Sequence, residues 1–472
     1  MIENQHSLSR SADLRVDLKT NSIWGRLVVG NTISWLFFHA ILGVIGLYSR
    51  YVFIGWFYLL ILSFVSLPKR QKREFLPLFI GYLIPVELFG RMIGGNPFLP
   101  WELGKYMGMI LLIYGIFLNK KNYRGATGRW ILILSLPSLL LCILVSNNLY
   151  KDIAFNYLGL VNLCLSIIYF SNYDMLSPEK IKVIFKLIIF GSTTILAYSF
   201  FHISDLPNVT FDLGANFSVT GGFGSNQVSS VLGLAFGLAI FLWLLQIPIF
   251  KSEILNLSLP AIFLLWALLS FSRGGVLSAL FGIILVILFV PKGNRRGNLR
   301  KINLKLILGL TLLLPVIAYY ANQLTDGQLF LRYTGETYGT LYGEKEKDLS
   351  QLTTGRWDIL VNDVTIWQDH FVLGVGVGQS ARVRPEYGEE KIVAHVEVSR
   401  LLSEHGFLGL IICLIYLFSP IVLFFKAKSS FQKALIVFVF TIAIGTSMHS
   451  AMRTFITPFF YGLGFVSFGY KT

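Results

Sequence analysis

Windows of about 17 to 21 apolar residues, the length a helix needs to cross roughly 30 Å of hydrocarbon, recur along the chain from Asn31 to Tyr470. Each window is continuously apolar rather than alternating, so helices and not a barrel do the spanning. The pattern predicts fourteen spans, beginning near residues 31, 51, 75, 104, 130, 153, 181, 226, 257, 273, 303, 407, 431 and 454, with twelve as the alternative count. A break at Arg273 separates the ninth from the tenth. The first 30 residues are polar and basic and lack a short apolar core with a small-residue cleavage site. No cleavable signal is expected, and the first span directs insertion.

Lysine and arginine in short loops orient the bundle. They gather before span one (Arg10, Arg15, Lys19, Arg26) and after spans two (Lys69, Arg70, Lys72, Arg73), four (Lys120, Lys121, Arg124, Arg129), ten (Lys292, Arg295, Arg296, Arg300, Lys301) and twelve (Lys426, Lys428). With fourteen spans these loops and both termini share one side, which is then cytoplasmic. The expected organisation is a cytoplasmic tail (1–30), a helix bundle (31–320), a large, partly helical extracytoplasmic loop carrying the chemistry (321–406) and C-terminal helices (407–472).

Composition supports the membrane class, with 54% hydrophobic residues and a mean hydropathy of +0.65. The net charge of +15 is then mostly topology and contact with anionic lipid, because a nucleic-acid binder would be far less apolar. Cys142, Cys164 and Cys413 lie within predicted spans without paired spacing, so neither disulfide nor metal is expected of them.

Two outer segments are long enough to hold a site. The stretch from Phe201 to Ser225 has no Lys or Arg and ends in a glycine-rich run before Asn226, which reads as the N-cap of span eight. That helix start could cradle an anion; the plain alternative is a turn and a cap. The segment from Ala321 to Glu404 has thirteen acids against eight bases, a net −5. Within it, Trp357, Ile359, Leu360, Val364, Ile366 and Trp367 fall at helical period in "TGRWDILVNDVTIWQDH". Next, "FVLGVGVGQS" reads as a short strand or glycine turn, and "EEKIVAHVEVSRLLSEHG" as a helix stopped by Gly406. If that helix continues into the span from Phe407, His395 sits twelve residues upstream, about 18 Å along the axis and close to the membrane surface.

Arg273 stands between two apolar runs with no acid near it along the chain. An arginine deep in a bilayer costs about 2.5 to 3.5 kcal/mol and usually faces a cavity or a partner; alternatively it snorkels outward at a glycine-softened turn. His395 is one of seven histidines, and a lone histidine is most often structural. Near neutral pH it is nevertheless able to take a proton from a hydroxyl. No metal-ligand spacing occurs, so metal-free chemistry without a cofactor is expected. Guanidinium groups suit phosphate, and a site at the membrane edge suits a lipid-linked phosphate such as a polyprenyl diphosphate sugar. Transfer from that donor needs cations for the leaving group and a base for the acceptor hydroxyl.

These residues resemble the superfamily of bacterial O-antigen ligases and polymerases. Its Arg-x-x-x-Leu motif is similar to "RGGVL" from Arg273 to Leu277; its His and Gly pattern is similar to His395, Gly406 and Gly409; and its Gly-Arg, Trp and Gly-x-Gly run is similar to the stretch containing Arg356. The resemblance covers roughly Gly221 to Leu410. Val396 stands where the family has an amide or hydroxyl residue, and His370 and Phe371 stand where a proline is usual. Those departures suit a polymerase better than a strict ligase. The resemblance implies an all-helical, inverting, metal-independent glycosyltransferase of the bacterial cytoplasmic membrane with its site facing outward. It implies an undecaprenyl-diphosphate glycan as donor, a glycan or lipid-linked acceptor, and a chain-length regulator as a further partner. His395 would be the base, with Arg273 and Arg356 on the diphosphate. Arg384, Arg400, Arg453 and Asn226 are added for their side and charge or helix position rather than for a motif. A flippase for lipid-linked oligosaccharide is the competing class, but no pattern relates residues 1–236 to 237–472 as repeats would require.

Overall fold

The computed structural model describes residues 22–119, 124–173, 176–203, 209–214, 216–289, 304–344, 346–388 and 394–467, and among these there is no strand. The first twelve helices are α1 (Ile23–Val29), α2 (Thr32–Gly46), α3 (Arg50–Val65), α4 (Lys69–Met92), α5 (Leu103–Leu118), α6 (Ala126–Val145), α7 (Leu149–Ser171), α8 (Pro178–His202), α9 (Ser225–Leu244), α10 (Glu253–Leu269), α11 (Arg273–Phe289) and α12 (Leu304–Leu324). After a long connection containing α13 (Gln328–Tyr333) and α14 (Arg356–Asp369) come α15 (Glu397–Lys426), α16 (Ser430–Ser450) and α17 (Ile456–Leu463). Every predicted window lies on a helix, and among the described residues seven helices, α4, α6 to α9, α15 and α16, are long and apolar enough to cross a membrane. Six others are shorter apolar helices, and α17 has eight residues. The chain is a multi-pass membrane protein.

Burial orders the bundle. The apolar windows of α4, α8 and α9 are nearly or wholly enclosed, whereas α6 and α15 expose most of theirs. A helix that is apolar all round belongs inside, and the exposed Leu144, Phe418 and Phe425 mark lipid-facing surface. Close approach depends on small residues. A Cβ on Gly43 would lie 2.3 Å from the Thr194 carbonyl, and one on Gly191 would lie 2.4 Å from the Pro85 ring, so α8 seats against α2 and α4. His39 in α2 is a core histidine: its Nε2 pairs with the Tyr82 hydroxyl at 2.9 Å, which also accepts from Trp56 Nε1.

The segment from Phe371 to Ser380 is the glycine turn, not a strand. Gly374, Gly376 and Gly378 have φ of 71°, 92° and 71°, in the left-handed region that glycine tolerates. The turn answers a defect in α15, where Gly406 takes φ 60° and ψ −135° and breaks the helix. A break frees carbonyls; Val375 N–H bonds Ser403 O at 3.0 Å, and Gly376 N–H bonds Glu404 O at 3.1 Å. The expected helical stop at Gly406 is therefore a kink inside one element. The helix expected upstream of it begins only at Glu397, with Val396 as N-cap. His395 therefore lies on the strap before the helix, and residues 389–393 of that expectation fall outside the described residues.

Glycines also bring α9 and α11 together. A Cβ on Gly275 would sit 2.2 Å from the Ser229 carbonyl, and one on Gly233 would sit 2.6 Å from the Gly275 carbonyl. Gly275→Val should destabilise the protein by about 1 to 3 kcal/mol through overpacking and lower its melting temperature in detergent. Gly309→Ala in α12, where nothing lies within 4 Å of the new Cβ, should hold or raise it. Equal melting temperatures for the two variants would count against this packing.

Candidate functional site

The turn from Ser270 to Ser272 between α10 and α11 sets the first cation. Phe271 has a positive φ of 59° and stacks on Phe211, with ring centroids 5.6 Å apart. Ser272 Oγ donates to Asn226 Oδ1 at 2.8 Å, and the Ser272 carbonyl accepts from Ser229 Oγ at 2.7 Å. The turn is thus pinned to the start of α9. Asn226 is not the expected N-cap: Gly224 holds that place without a side-chain bond, and the Asn226 amide braces the turn instead. Arg273 follows as the first residue of α11, half-buried, and donates to Thr354 Oγ1 at 3.0 Å.

Thr354 and Gly355, with φ of 58° and 74°, turn the chain into α14, so Arg356 opens that helix beside Arg273. Gly327, with φ 83°, starts α13 and delivers Arg332 and Tyr333 to the same place. Proximity shows in the electrostatics. Burial holds Arg356 down to about 10, and Arg273, Arg332 and Arg453 push the same way. Arg332 is likewise lowered by burial and by Arg273, with Asp212 opposing. No described carboxylate forms an ion pair with Arg273, Arg332 or Arg356.

His395 faces this cluster. Its backbone carbonyl accepts from Ala451 N–H at 2.9 Å, and the neighbouring Ala394 carbonyl accepts from Arg453 Nη2 at 3.0 Å. The strap is therefore tied to the turn that ends α16. Burial lowers the imidazole from 6.5 to about 4; Arg453 and Arg356 add to this, while the His449 carbonyl opposes it. Positive neighbours disfavour a second positive charge, so the ring is neutral at pH 7. His395 Nδ1, Arg332 Nε, Arg356 Nε and the Tyr333 hydroxyl are buried without a hydrogen-bond partner among the described residues. An unmet buried polar group costs about 1 to 3 kcal/mol, so the four unmet groups set the surroundings of the arginine cluster apart from the satisfied ion pairs elsewhere in the fold.

Two expected substrate residues carry carboxylate partners. Arg384 is fully buried and pairs with Asp363 at 2.5 Å, and Ser399 donates to the other oxygen of that carboxylate at 2.7 Å. Arg400 lies between Glu397 and Glu404, with the latter contact at 2.7 Å. Both arginines sit in buried ion pairs that hold the strap and α15, and Arg400 also lines a cavity shared with Arg453. Arg453, Arg273, Arg356 and His395 do converge. His405 and His449 are structural. His405 Nδ1 meets Ser138, and His449 meets Ser230 at 2.8 Å and packs on Gly274, where a Cβ would clash with its ring.

Arg332 and Tyr333 are absent from the sequence expectation. Their signal was masked, because Glu336 stands four residues after Arg332 as a helical partner would. In the fold α13 ends at Tyr333, and Glu336 pairs with Lys347 at 2.8 Å. Among the described residues no group of three or more His, Cys, Asp or Glu is placed to hold a metal ion. An apolar groove of about 800 Å³ runs beside the cluster between α11, α15 and α16, from Leu277, one turn past Arg273, to Phe289.

The model of the O-antigen ligase family matches residues 259–414. That segment holds Arg273, Arg332, Arg356 and His395 but neither Asn226 nor Arg453. No curated protein matches the chain.

Replacing Arg384 by Ala should strand Asp363 and cost about 3 to 5 kcal/mol, read as a large loss of melting temperature or folded yield. Arg384→Met combined with Asp363→Leu should recover most of it. If Arg384→Ala proves as stable as the parent protein, the structural assignment is wrong.

Proposed function

With residues 259–414 assigned to the O-antigen ligase family, we propose that this protein is an inverting, metal-independent glycosyltransferase. It extends polysaccharide on the outer face of the bacterial cytoplasmic membrane, using undecaprenyl-diphosphate-linked repeat units. One observation carries the reading: three arginines without carboxylate partners converge with a neutral imidazole. A diphosphate supplies the missing anion, and the imidazole supplies the base. In the proposed step, His395 Nδ1 takes the proton of an acceptor hydroxyl, and that oxygen bonds the anomeric carbon of the donor. The bond from that carbon to the diphosphate oxygen breaks on the opposite face, and Arg273, Arg332 and Arg356 stabilise the departing charge. The Tyr333 hydroxyl is placed to donate to the same phosphate oxygens.

The groove along α11 supports a lipid-linked donor. Its walls are almost wholly apolar, including Phe281, Phe289, Phe424 and Phe440, and Leu277 to Phe289 covers about 18 Å of helix. A polyprenyl chain fits that surface while its diphosphate lies by Arg273. A polymerase, whose acceptor is another lipid-linked repeat, is the first choice because Val396 and the missing proline depart from the ligase pattern. A ligase acting on lipid A core or another terminal carrier is the second reading, favoured by the description of the matching family.

Purified protein in detergent with lipid-linked repeat units should lengthen glycans without metal or membrane gradient, and Arg356→Ala and His395→Ala should each lower the rate by at least about 100-fold. Full activity in both variants would end the proposal, and transport without lengthening would favour a carrier.

The pH profile offers an independent check. A base whose free-enzyme value is about 4 is active above that pH, so kcat/KM should fall only as pH drops through about 4. Arg453→Gln removes a positive neighbour and should move that acid limb upward, toward the ordinary histidine value of 6.5. An acid limb unmoved by Arg453→Gln would show that His395 is not the titrating base.

A further inference from the structure

A second cavity, of about 620 Å³, adjoins the arginine cluster. Arg273, Arg332 and Arg356 do not line it, but Arg453 and Ala394 do. Those two residues flank His395: Ala394 precedes it in the chain, and Arg453 both bonds the Ala394 carbonyl and presses on the imidazole. The cavity therefore reaches the residues that flank the base, although His395 itself is not among its walls. This matters for an inverting displacement, in which the incoming oxygen and the leaving diphosphate occupy opposite sides of the anomeric carbon. The acceptor has to arrive through a space that touches the base without being walled by the diphosphate's arginines.

The wall against α4 and α5 is preset. Arg91 bonds Glu87 at 2.6 Å and Gln227 at 2.7 Å, and its Nε donates to the Trp101 carbonyl at 2.6 Å. Lys105 pairs with Glu102 at 2.7 Å. These charges satisfy one another and stiffen the cavity. Other groups remain available. The Trp101 and Phe155 rings are 48% and 42% exposed despite lining the cavity. Beside them stand the Asn147 and Asn156 amides and the exposed Lys151 ammonium, which has no carboxylate partner among the described residues. Aromatic faces cover the C–H face of a sugar ring, amides bridge neighbouring hydroxyls, and a lone cation selects an acidic substituent. The volume lies within the range of about 300 to 1,000 Å³ typical of small-ligand sites, room for a few sugar rings.

We propose that this cavity is the acceptor subsite, that it binds an anionic oligosaccharide, and that Trp101 and Lys151 determine its affinity and specificity. The proposal rests on the transferase reading above. Its probe is the repeat-unit oligosaccharide freed from the strain's own lipid-linked donor by mild acid. This probe offers an acceptor hydroxyl but has no diphosphate to leave, so it cannot serve as donor. Binding of the free oligosaccharide to the purified full chain, and the KM for it as acceptor with the lipid-linked unit held saturating, are measured for Trp101→Ala and Lys151→Ala. Lys151 is exposed, so Lys151→Ala should keep the melting temperature of the parent; the Trp101 ring packs on Phe223 and Arg91, so Trp101→Ala is compared at equal concentration of folded protein.

Each variant should weaken oligosaccharide binding and raise the acceptor KM by about tenfold, the loss expected for one stacking or charged contact, with kcat changed less than about twofold. Lys151→Ala should lose more affinity for the acidic oligosaccharide than for its carboxyl-reduced form, whereas Trp101→Ala should lose equally for both. Arg356→Ala should stop donor use yet leave oligosaccharide binding intact. If the parent protein lengthens glycans but both variants keep the parental acceptor KM and binding, the acceptor assignment falls alone. If the parent binds the oligosaccharide at this cavity but extends nothing, the transferase reading falls and the cavity stands as a glycan-binding site. If the parent neither binds the oligosaccharide nor lengthens lipid-linked units, both fall.

Discussion

Like charges repel most where water is scarce, and this fold has to keep Arg273, Arg332, Arg356 and Arg453 together against that repulsion. It does so with backbone rather than with counter-charge. Arg273 and Arg356 each begin a helix immediately after a turn containing a residue with positive φ, Phe271 in one case and Thr354 with Gly355 in the other. Arg332 rides on a one-turn helix, and Arg453 on the turn that closes α16 and bonds the strap carrying His395. Main-chain geometry aims each guanidinium, and Arg273 and Arg453 are further steadied by the Thr354 hydroxyl and the Ala394 carbonyl. The cost of assembling such a cluster is met by packing elsewhere, above all the glycine-mediated contact of α9 with α11.

The buried arginines fall into two chemical kinds. Arg91, Arg384 and Arg400 are matched by carboxylates in contact. Removing one member of such a pair leaves an uncompensated charge, so these residues are conditions of folding. Arg273, Arg332 and Arg356 have no carboxylate in contact and impose their charge on one another and, through Arg356, on His395. An arginine's value to chemistry here is decided by whether the fold has already neutralised it, which position along the chain does not reveal.

That distinction explains how much could be read in advance. Apolar windows located the seven long apolar helices, because hydrocarbon thickness leaves a broad, redundant signal. They did not disclose which windows make short helices, since helix ends depend on turns such as Ser270 to Ser272 and on half-helices such as α17. For the site, Arg273 was legible because an unpaired charge between apolar runs is anomalous, and Arg356 and His395 because their motif neighbours resemble a family. Arg384 and Arg400 looked equivalent to Arg356 because Asp363, which holds the first, lies 21 residues away in the chain. The second sits within a turn of Glu397 and Glu404, a spacing that reads as a solvated helix face until the helix is known to be buried. Arg332 was hidden by the reverse effect: an apparent partner at helical spacing that the end of α13 removes. Asn226 was misjudged because its amide serves a tertiary contact with Ser272 in place of a local cap.

The enclosure of α4 bears on how the protein is built. Glu87 satisfies one carboxylate oxygen within its own helix through Arg91, but its Oε2 accepts from the backbone N–H of Phe455 at 2.9 Å. The polar demand of one helix is thus met by a residue 368 positions further along the chain. Until α17 docks, the middle of the bundle holds an acid facing an incomplete neighbour. Entry of α4 into the bilayer and consolidation of the polar contacts around it are therefore separate events.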